Sequence, residues 1–594
     1  MNKLSKLAFG TMAFIVASCS SEEPVINGPD NGNADGDIYA TLNLKLPTGG
    51  TRAANEGEEF GKDRENYVGK VMVVLATKDA TDVSGNKYIY LTHKEADTFP
   101  GGVENPGHSG NYGEYGNAKN EFKYTLTFNA NELKGNSDLG VAQDKEEVYV
   151  FAFCNPTARV RGIIESKNPG DVLTNGMFGE VSPENSVWED NKFLMTNSEI
   201  PAPVEIPAKA DLVSLHNTPE KALNLGTVHV KRVAARFDFA LGGTNKDNKY
   251  DIDDVTSGTP NAKMGTVELT QMAMFNIANR FYYLPRTNSL WTWKGTTTLC
   301  GELEKGYVMS FNEGGFKSSS VNYDNYKNYY FANLIGNKFD KSATADDRNG
   351  GSTTLVWTSI KPADWNKEAD TDDPNWTPHV PAAVDYRIWR YATENTIPAL
   401  ESGNATDSQR VGITTGVVFK GEFTPAESKK TTWNGNAVYV HNGLVYGDFA
   451  ALKAYVTKYP ESVVAHDFKE VSQLQNAAET ADPKVSLIKD LTKAQSHGFK
   501  AYEAEGNATD GYKYIMYYFY YNRHNTNDKN YEMGDNEFGV VRNNVYKLQV
   551  TKCGSLGEPK APEDPDDPNE EENAYFTVSC HVMPWTVRIN NIEF

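Results

Sequence analysis

The sequence is short of positive charge, cysteine and long apolar runs. Its 58 lysines and arginines face 79 acidic residues, which gives a formal net charge of −21. Nucleic-acid binding depends on Lys and Arg side chains that neutralise phosphates. The negative net charge therefore gives no support for a nucleic-acid-binding function. Five cysteines among 594 residues exclude a disulfide-rich scaffold. No apolar run reaches the roughly eighteen residues that a membrane-spanning helix needs.

Motifs of the common catalytic classes are also missing. The chain contains no H-E-x-x-H, no G-x-S-x-G and no G-x-x-x-x-G-K-[ST]. Four histidines lie in or beside strand-like runs, without a carboxylate at a useful spacing: His229, His441, His524 and His581. We therefore expect no enzyme activity and no cofactor.

One acidic stretch has a faint likeness to a calcium loop. It reads DNKYDIDD and covers Asp247–Asp254. Lys249 stands where a ligand is needed and the required glycine is absent, so the sequence predicts no metal site there.

The first residues have the pattern of an export signal. An apolar stretch, Leu7–Val16, follows two lysines and is too short to span a bilayer. The next residues, V-A-S-C, resemble a lipobox in which Cys19 is lipidated and becomes the new N-terminus. The acidic Ser20–Glu23 is similar to a signal for lipoprotein transfer to the outer surface. An ordinary signal peptide over residues 1–18 is the alternative.

The composition favours β-structure, because aromatic residues make up 11% of a chain that is only 39% hydrophobic. Strand-like runs without intervening helices predict antiparallel sandwiches. We therefore predict an all-β fold with few short helices, built as two tandem antiparallel β-sandwich domains (transthyretin-like, Greek-key). The predicted strands are Tyr67–Ala76, Phe122–Phe128, Glu147–Cys154, Gly226–Leu241, Gly265–Ile277, Gly412–Phe423, Tyr512–Asn522 and Asn543–Cys553. One amphipathic helix is predicted at Tyr446–Tyr459.

Domain boundaries follow from these runs and from polar stretches. Loops are predicted at Thr77–Asn120 and Gly336–Ala382. Gly557–Asn573 is rich in proline and acids, so it is predicted to be an extended linker that reaches on the order of 50 Å. The predicted segments are a signal peptide 1–18, a propeptide 19–52, an N-terminal domain 53–225, and a C-terminal domain 226–594 with linker 557–573 and terminal segment 574–594.

A strand is predicted at the start of the mature chain. Alternate residues share one apolar face: Ile38, Ala40, Leu42, Leu44 and Leu46. A loop that is easy to cut follows and carries Arg52. Removing the strand would expose an apolar groove with unpaired backbone groups.

The C-terminal segment is predicted to supply the strand that replaces the first strand after its removal. Two short strands are expected to hinge at Pro584, tethered by the acidic linker. Five apolar residues form the predicted donor face: Trp585, Val587, Ile589, Ile592 and Phe594. Strand addition between copies is a head-to-tail contact, which builds open filaments. This gives the hypothesis that Arg52 is a processing site and that the first strand is a temporary plug.

The chain resembles the Bacteroidales fimbrillins, the type V pilins, and among them the major subunits of short fimbriae. The resemblance lies in the lipobox at Cys19, the Arg52 loop and three segments: Val228–Phe239, Phe538–Val550 and Val578–Ile589. It implies lipidation for export to the outer membrane, a cut between Arg52 and Ala53 by an arginine-specific protease, and polymerisation into an extracellular fimbrium. It also implies accessory tip and anchor subunits, surface receptors, and roles in adhesion, biofilm and virulence. Arg64 is the fallback cut site.

Two other functions stay open. A surface glycan-binding lipoprotein could stack sugars on Trp291 and Trp293 or on Tyr517–Asn522, although aromatics in strands usually fill cores. A tip or anchor subunit is the second, and adhesion could lie in Asn288–Val411.

Four cysteines remain after lipidation of the first, and three pairings are open. They are Cys154, Cys300, Cys553 and Cys580, and their spacing matches no zinc pattern. Most are predicted to be buried free thiols. We predict against a Cys553–Cys580 bridge, because it would oppose strand donation.

Overall fold

The computed structural model of the chain describes a discontinuous set of residues. They are 36–47, 59–79, 88–97, 121–133, 147–173, 178–180, 187–188, 192–199, 201–207, 209–254, 256–278, 280–284, 286–288, 297–299, 307–308, 331–332, 355–365, 385–396, 414–472, 491–524, 537–559 and 576–586. Within these ranges, no helix has the length and apolar character needed to cross a bilayer.

Strands dominate the described residues, which confirms an all-β chain with few short helices. Up to Arg232 the strands are β1 (Asp37–Lys45), β2 (Glu59–Phe60), β3 (Lys70–Lys78), β4 (Tyr88–Asp97), β5 (Glu121–Asn129), β6 (Glu147–Cys154), β7 (Phe178–Glu180), β8 (Met195–Asn197), β9 (Val204–Glu205) and β10 (Leu223–Arg232). Beyond it they are β11 (Ala234–Ala240), β12 (Lys249–Asp253), β13 (Lys263–Phe275), β14 (Ile277–Ala278), β15 (Arg280–Tyr282), β16 (Arg286–Asn288), β17 (Thr297–Leu299), β18 (Tyr307–Val308), β19 (Phe331–Ala332), β20 (Thr358–Ser359), β21 (Arg387–Thr393), β22 (Asn395–Thr396), β23 (Gly416–Pro425), β24 (Val438–His441), β25 (Leu444–Asp448), β26 (Phe499–Tyr502), β27 (Ala504–Asn507), β28 (Gly511–Tyr521), β29 (Gly539–Val540), β30 (Asn544–Cys553) and β31 (Phe576–Thr586).

The helices are short. They are α1 (Asp63–Asn66), α2 (Ala158–Glu165), α3 (Lys209–Leu215), α4 (Pro362–Trp365), α5 (Glu427–Trp433), α6 (Phe449–Lys458), α7 (Val463–Ser472) and α8 (Leu491–Ser496), with a 3₁₀ turn at Pro219–Lys221. The predicted amphipathic helix is α6. Asp448 begins it, since its carboxylate accepts a hydrogen bond from the Ala451 amide at 2.9 Å.

The first sheet has the order β4-β3-β6-β8-β10-β1-β5, and β9 also pairs with β6. Its inner face forms an apolar core with Ile38, Val73 and Leu126, while the opposite face of β3 and β6 packs under α2. Strand β3 is therefore buried on both faces, which explains its unbroken apolar run.

The chain passes to other sheets immediately after Arg232. One has the order β2-β31-β30-β11-β21, and another has the order β12-β13-β23-β28-β27 with β20 added to β13. They share an apolar core that includes Phe237, Phe419 and Leu548. Aromatic side chains interlock there, with the rings of Phe237 and Tyr546 stacked at 4.8 Å between centroids.

The expected antiparallel pairing holds for most neighbours but not all, so the sheets are mixed. Strand β1 runs parallel to β10, β11 runs parallel to β30, and β2 runs parallel to β31. Each parallel partner is distant along the chain, and sequence periodicity does not report strand direction.

Three local predictions are corrected. The predicted loop Thr77–Asn120 contains β4, which pairs with β3 along its length. The two strands expected to hinge at Pro584 are a single strand, β31, which runs through that proline. The start of the linker is anchored, because Glu558 exchanges backbone hydrogen bonds with Tyr517 at 2.7 and 2.8 Å.

His524 lies beside the core that contains Phe237 and Tyr546. Its imidazole forms a hydrogen bond with the Tyr546 hydroxyl at 2.9 Å. Burial lowers the pKa of His524 to about 4. The folded chain therefore binds fewer protons than the unfolded chain between about pH 6.5 and about pH 4. Stability is fully present above this window and is lost as the pH falls through it.

We predict that His524→Gln flattens the loss of stability between about pH 6.5 and about pH 4, because the substituted side chain cannot take up a proton. Urea unfolding at several pH values measures this. His229, an exposed histidine in β10, supplies the matched control as His229→Gln. Equal pH slopes for the two variants would contradict the prediction.

Candidate functional site: the first strand and the segment that follows it

The inward face of β1 is completely buried. Ile38, Ala40, Leu42 and Leu44 are 0% exposed and Leu46 is 1% exposed. The intervening residues, from Tyr39 to Lys45, are half-buried, which gives strict alternation along the strand. This alternation places one side chain in the core at every second position.

Strand β1 lies inside its sheet rather than at an edge. It pairs antiparallel with β5 from Asp37 opposite Asn129 to Lys45 opposite Glu121. On its other side it pairs parallel with β10, where the register shifts between Thr41 and Asn43. Gly226 lies in this shift with φ of +82°, a conformation that glycine adopts without strain.

The start of β1 is fixed by two further backbone contacts. The Gly36 carbonyl accepts a hydrogen bond from the Ala130 amide at 2.7 Å, and the Tyr39 amide donates to the His216 carbonyl at 2.8 Å. Among the described residues, β5 pairs with no strand other than β1. Removing β1 would therefore expose β10 and detach β5 from the sheet.

The next described segment, Glu59–Asn66, belongs to a different sheet. Its first two residues form β2, which pairs with Trp585 and Thr586 at the end of β31. Helix α1 follows, and the Glu65 carboxylate accepts a hydrogen bond from the Lys62 amide at 2.7 Å. The chain thus changes sheets between β1 and β2.

A buried ion cluster holds this segment. The Arg236 guanidinium contacts Glu59 at 3.0 Å, Glu65 at 2.9 Å and Asp238 at 2.9 Å. Lys547 contacts the other oxygen of Glu59 at 2.7 Å, and all of these side chains are 0% exposed. The cluster joins β2 and α1 to β11 and β30.

Two further groups extend the cluster. The Tyr391 hydroxyl donates to Glu65 at 2.5 Å, and Arg232 donates to the Glu65 carbonyl at 3.1 Å. Arg232 also contacts Asn66 and Asn543. Three carboxylates, from Glu59, Glu65 and Asp238, therefore face three cationic side chains.

The arginines in this cluster have opposite pKa shifts. Burial lowers the pKa of Arg232 to about 9, with partial compensation from Glu65. Burial also acts against the charge on Arg236, but Asp238, Glu65 and Glu59 together raise the pKa of Arg236 above its ordinary value. Arg236 is thus the electrostatic centre of the cluster.

The sequence analysis missed this cluster. Its one local signal is that Arg236 and Asp238 alternate with apolar residues in a strand that is buried at every position. The carboxylates of Glu59 and Glu65 are supplied from far along the chain, and periodicity carries no information on such pairs.

Several predicted site residues lie outside the described residues. They are Cys19, Arg52, Ala53, Val587, Ile589, Ile592 and Phe594, together with Cys300, Trp291 and Trp293. Trp585 lies within β31. Arg64, the fallback cut site, lies in helix α1.

The aromatic run Tyr517–Asn522 is part of β28 and its end. Tyr518, Phe519 and Tyr521 are each 1% exposed. The Tyr518 hydroxyl donates to the Ser555 carbonyl at 2.9 Å. These three rings fill the core, so they offer no surface for stacking sugars, whereas Tyr517 is partly exposed.

The described cysteines are free thiols. Cys154 and Cys553 are buried and Cys580 is partly buried. Burial raises the pKa of Cys580 to about 12, which keeps the thiol protonated.

One histidine prediction is wrong. His441 has a carboxylate partner, Asp467, at 2.9 Å, and His497 lies 3.5 Å from the same side chain. Within the described ranges, no group of histidine, cysteine and acidic residues has a metal-binding arrangement. In the stretch resembling a calcium loop, Lys249–Asp253 forms β12 and Asp254 pairs with Lys429 at 3.0 Å.

Comparison with protein families gives one match. Residues 512–591 match the family described as "Major fimbrial subunit protein type IV, Fimbrillin, C-terminal". The C-terminal segment of the chain is therefore of the fimbrillin type. The matched region contains β28, β30 and β31.

Solved structures with some similarity include two from Porphyromonas gingivalis. A fimbrilin of strain W83 is 13% identical with a TM-score of 0.34, covering 93% of this chain and 99% of its own. A tip fimbrial protein with C-terminal truncation is 8% identical with a TM-score of 0.33, covering 92% of this chain and 100% of its own. Comparison with curated proteins gave no match.

We predict that Leu44→Ala lowers the free energy of unfolding of the uncut chain by about 2–5 kcal/mol, because it leaves a cavity where a 0%-exposed side chain packs. Asn43→Ala, on the half-buried face, is the matched control and should cost less than about 1 kcal/mol. Urea unfolding measures both. Equal costs would show that the inward face of β1 is not the anchored one.

A second stability prediction concerns the ion cluster. Arg236→Met should destabilise the chain by about 3–5 kcal/mol, because it leaves Glu59, Glu65 and Asp238 buried without their shared partner. Arg161→Met removes a partly exposed pair with Glu95 and should cost about 0–1 kcal/mol. A loss at Arg236 no larger than that at Arg161 would contradict the assigned role of the cluster.

Proposed function

We propose that this chain is a structural stalk subunit of a fimbrium. In this proposal it is exported as a lipoprotein through Cys19, cut between Arg52 and Ala53 by an arginine-specific protease, and polymerised by donor-strand exchange. Its partners are further copies of itself, accessory tip and anchor subunits, and surface receptors. The body of the subunit consists of two tandem β-sandwich domains.

The observation that supports this proposal is the position of β1. Five apolar side chains fill the core from a strand that lies between β10 and β5. The four large ones, Ile38, Leu42, Leu44 and Leu46, contribute about 1.5–3 kcal/mol each on burial, roughly 6–12 kcal/mol together, and Ala40 adds less. Exposing this apolar groove to water would cost that free energy. An incoming strand that covers the groove is therefore favoured once β1 leaves.

The pairing that the empty groove requires also suits polymerisation. A replacement strand must satisfy β5 and β10 at once, since β5 has no other partner among the described strands. When one copy supplies that strand from its C-terminal end, the contact is head-to-tail and leaves a free groove and a free donor at opposite ends. Such contacts extend into a filament.

The glycan-binding alternative is not favoured by any described contact. The aromatic side chains of Tyr518, Phe519 and Tyr521 are used in the core. A tip or anchor subunit differs from a stalk subunit in its ability to form homopolymers, so polymerisation of the purified chain separates them.

We predict that an arginine-specific protease converts the purified Cys19-less precursor into filaments. Mass spectrometry should find a cut after Arg52, and electron microscopy should find filaments. Arg52→Ala should remain an uncut monomer, whereas Arg64→Ala, the matched control, should be cut and polymerise normally. A clean cut after Arg52 that leaves a stable monomer would reject the stalk assignment.

A further inference from the structure

Strand β31 pairs with one neighbour up to Pro584 and with a second neighbour, on its other side, at Trp585 and Thr586. Its inner neighbour is β30, from Asn544 opposite Pro584 to Cys553 opposite Phe576. Its outer neighbour is β2, with Glu59 opposite Trp585 and Phe60 opposite Thr586. A strand held on two sides cannot leave without breaking both ladders.

The outer neighbour is itself fixed by charge. The Glu59 carboxylate contacts Arg236 at 3.0 Å through one oxygen and Lys547 at 2.7 Å through the other. These cations stand on β11 and β30, the strands that continue the same sheet. Pulling β2 away would leave the buried Arg236 and Lys547 without the Glu59 carboxylate, which is strongly unfavourable.

This clamp lies after the proposed cut site. Six residues, 53–58, separate Arg52 from Glu59, so processing removes β1 and leaves the Glu59 contacts in the mature chain. The same segment is therefore present while copies assemble.

We propose that β2 clamps β31 in its own sheet during assembly and that the donated part of the chain begins at Val587. This inference rests on the proposed donor-strand function. It removes Trp585 from the donor set and leaves residues 587–594. Extended, these eight residues span about 27 Å, close to the length of the nine-residue β1. The acidic linker then has no part in delivering the donor.

A disulfide between β2 and β31 tests the clamp. Phe60 and Thr586 are direct register partners, so Phe60→Cys with Thr586→Cys can bridge the two strands. After processing, the bridged chain should polymerise to within two-fold of its reduced form. Thr586→Cys alone is the control, and non-reducing peptide mapping verifies the bridge. A bridged chain that stays monomeric while its reduced form polymerises would overturn the inference.

Hydrogen exchange separates the clamp from the proposed function. In the monomer, Glu59→Gln should raise exchange at Trp585 and Thr586 by at least ten-fold without changing β1. Glu95→Gln, which removes a partly exposed partner of Arg161, should change neither. Unchanged exchange at Trp585 in Glu59→Gln would overturn the clamp. If the unbridged chain fails to polymerise, the donor-strand function fails while this measurement still decides the clamp.

Discussion

The contact of Arg236 with three buried carboxylates is the constraint on which the rest of the molecule depends. Glu59 and Glu65 come from the segment after the first strand, and Asp238 comes from the strand of Arg236 itself. Desolvation makes such a group costly unless every charge is matched. The matching fixes where residues 59–66 sit against β11 and β30, and through β2 it fixes the end of β31.

The two parts of the chain that flank residues 48–58 are held by different forces. Strand β1 is held by apolar burial and by repeating backbone pairing, neither of which depends on one particular partner. The segment from Glu59 is held by directional ionic contacts that tolerate no substitute. The proposed processing, which removes β1 and keeps the next segment, relies on this division between exchangeable and specific interactions.

The sequence was sufficient to predict most of the long strands but not the strands with which they pair. The alternation from Ile38 to Leu46 was sufficient to predict β1 and its buried face. Its parallel pairing with β10 was missed because local periodicity does not report strand direction. A hinge was predicted at Pro584 because the alternation of apolar residues changes phase there. The proline is accommodated at a strand edge, since β2 covers only Trp585 and Thr586.

The acidic linker illustrates why length alone does not assign a role. Phe576 lies opposite Cys553, which is five positions before the anchored Glu558. Five residue steps and one cross-strand step therefore separate the linker ends by no more than about 22 Å, whereas sixteen extended residues reach about 50 Å. Doubling a flexible loop costs only about 0.6 kcal/mol, so this excess length is tolerated without a mechanical use. In the proposed strand donation, the pairing of β31 therefore decides which residues are free to leave, and the reach of the linker does not.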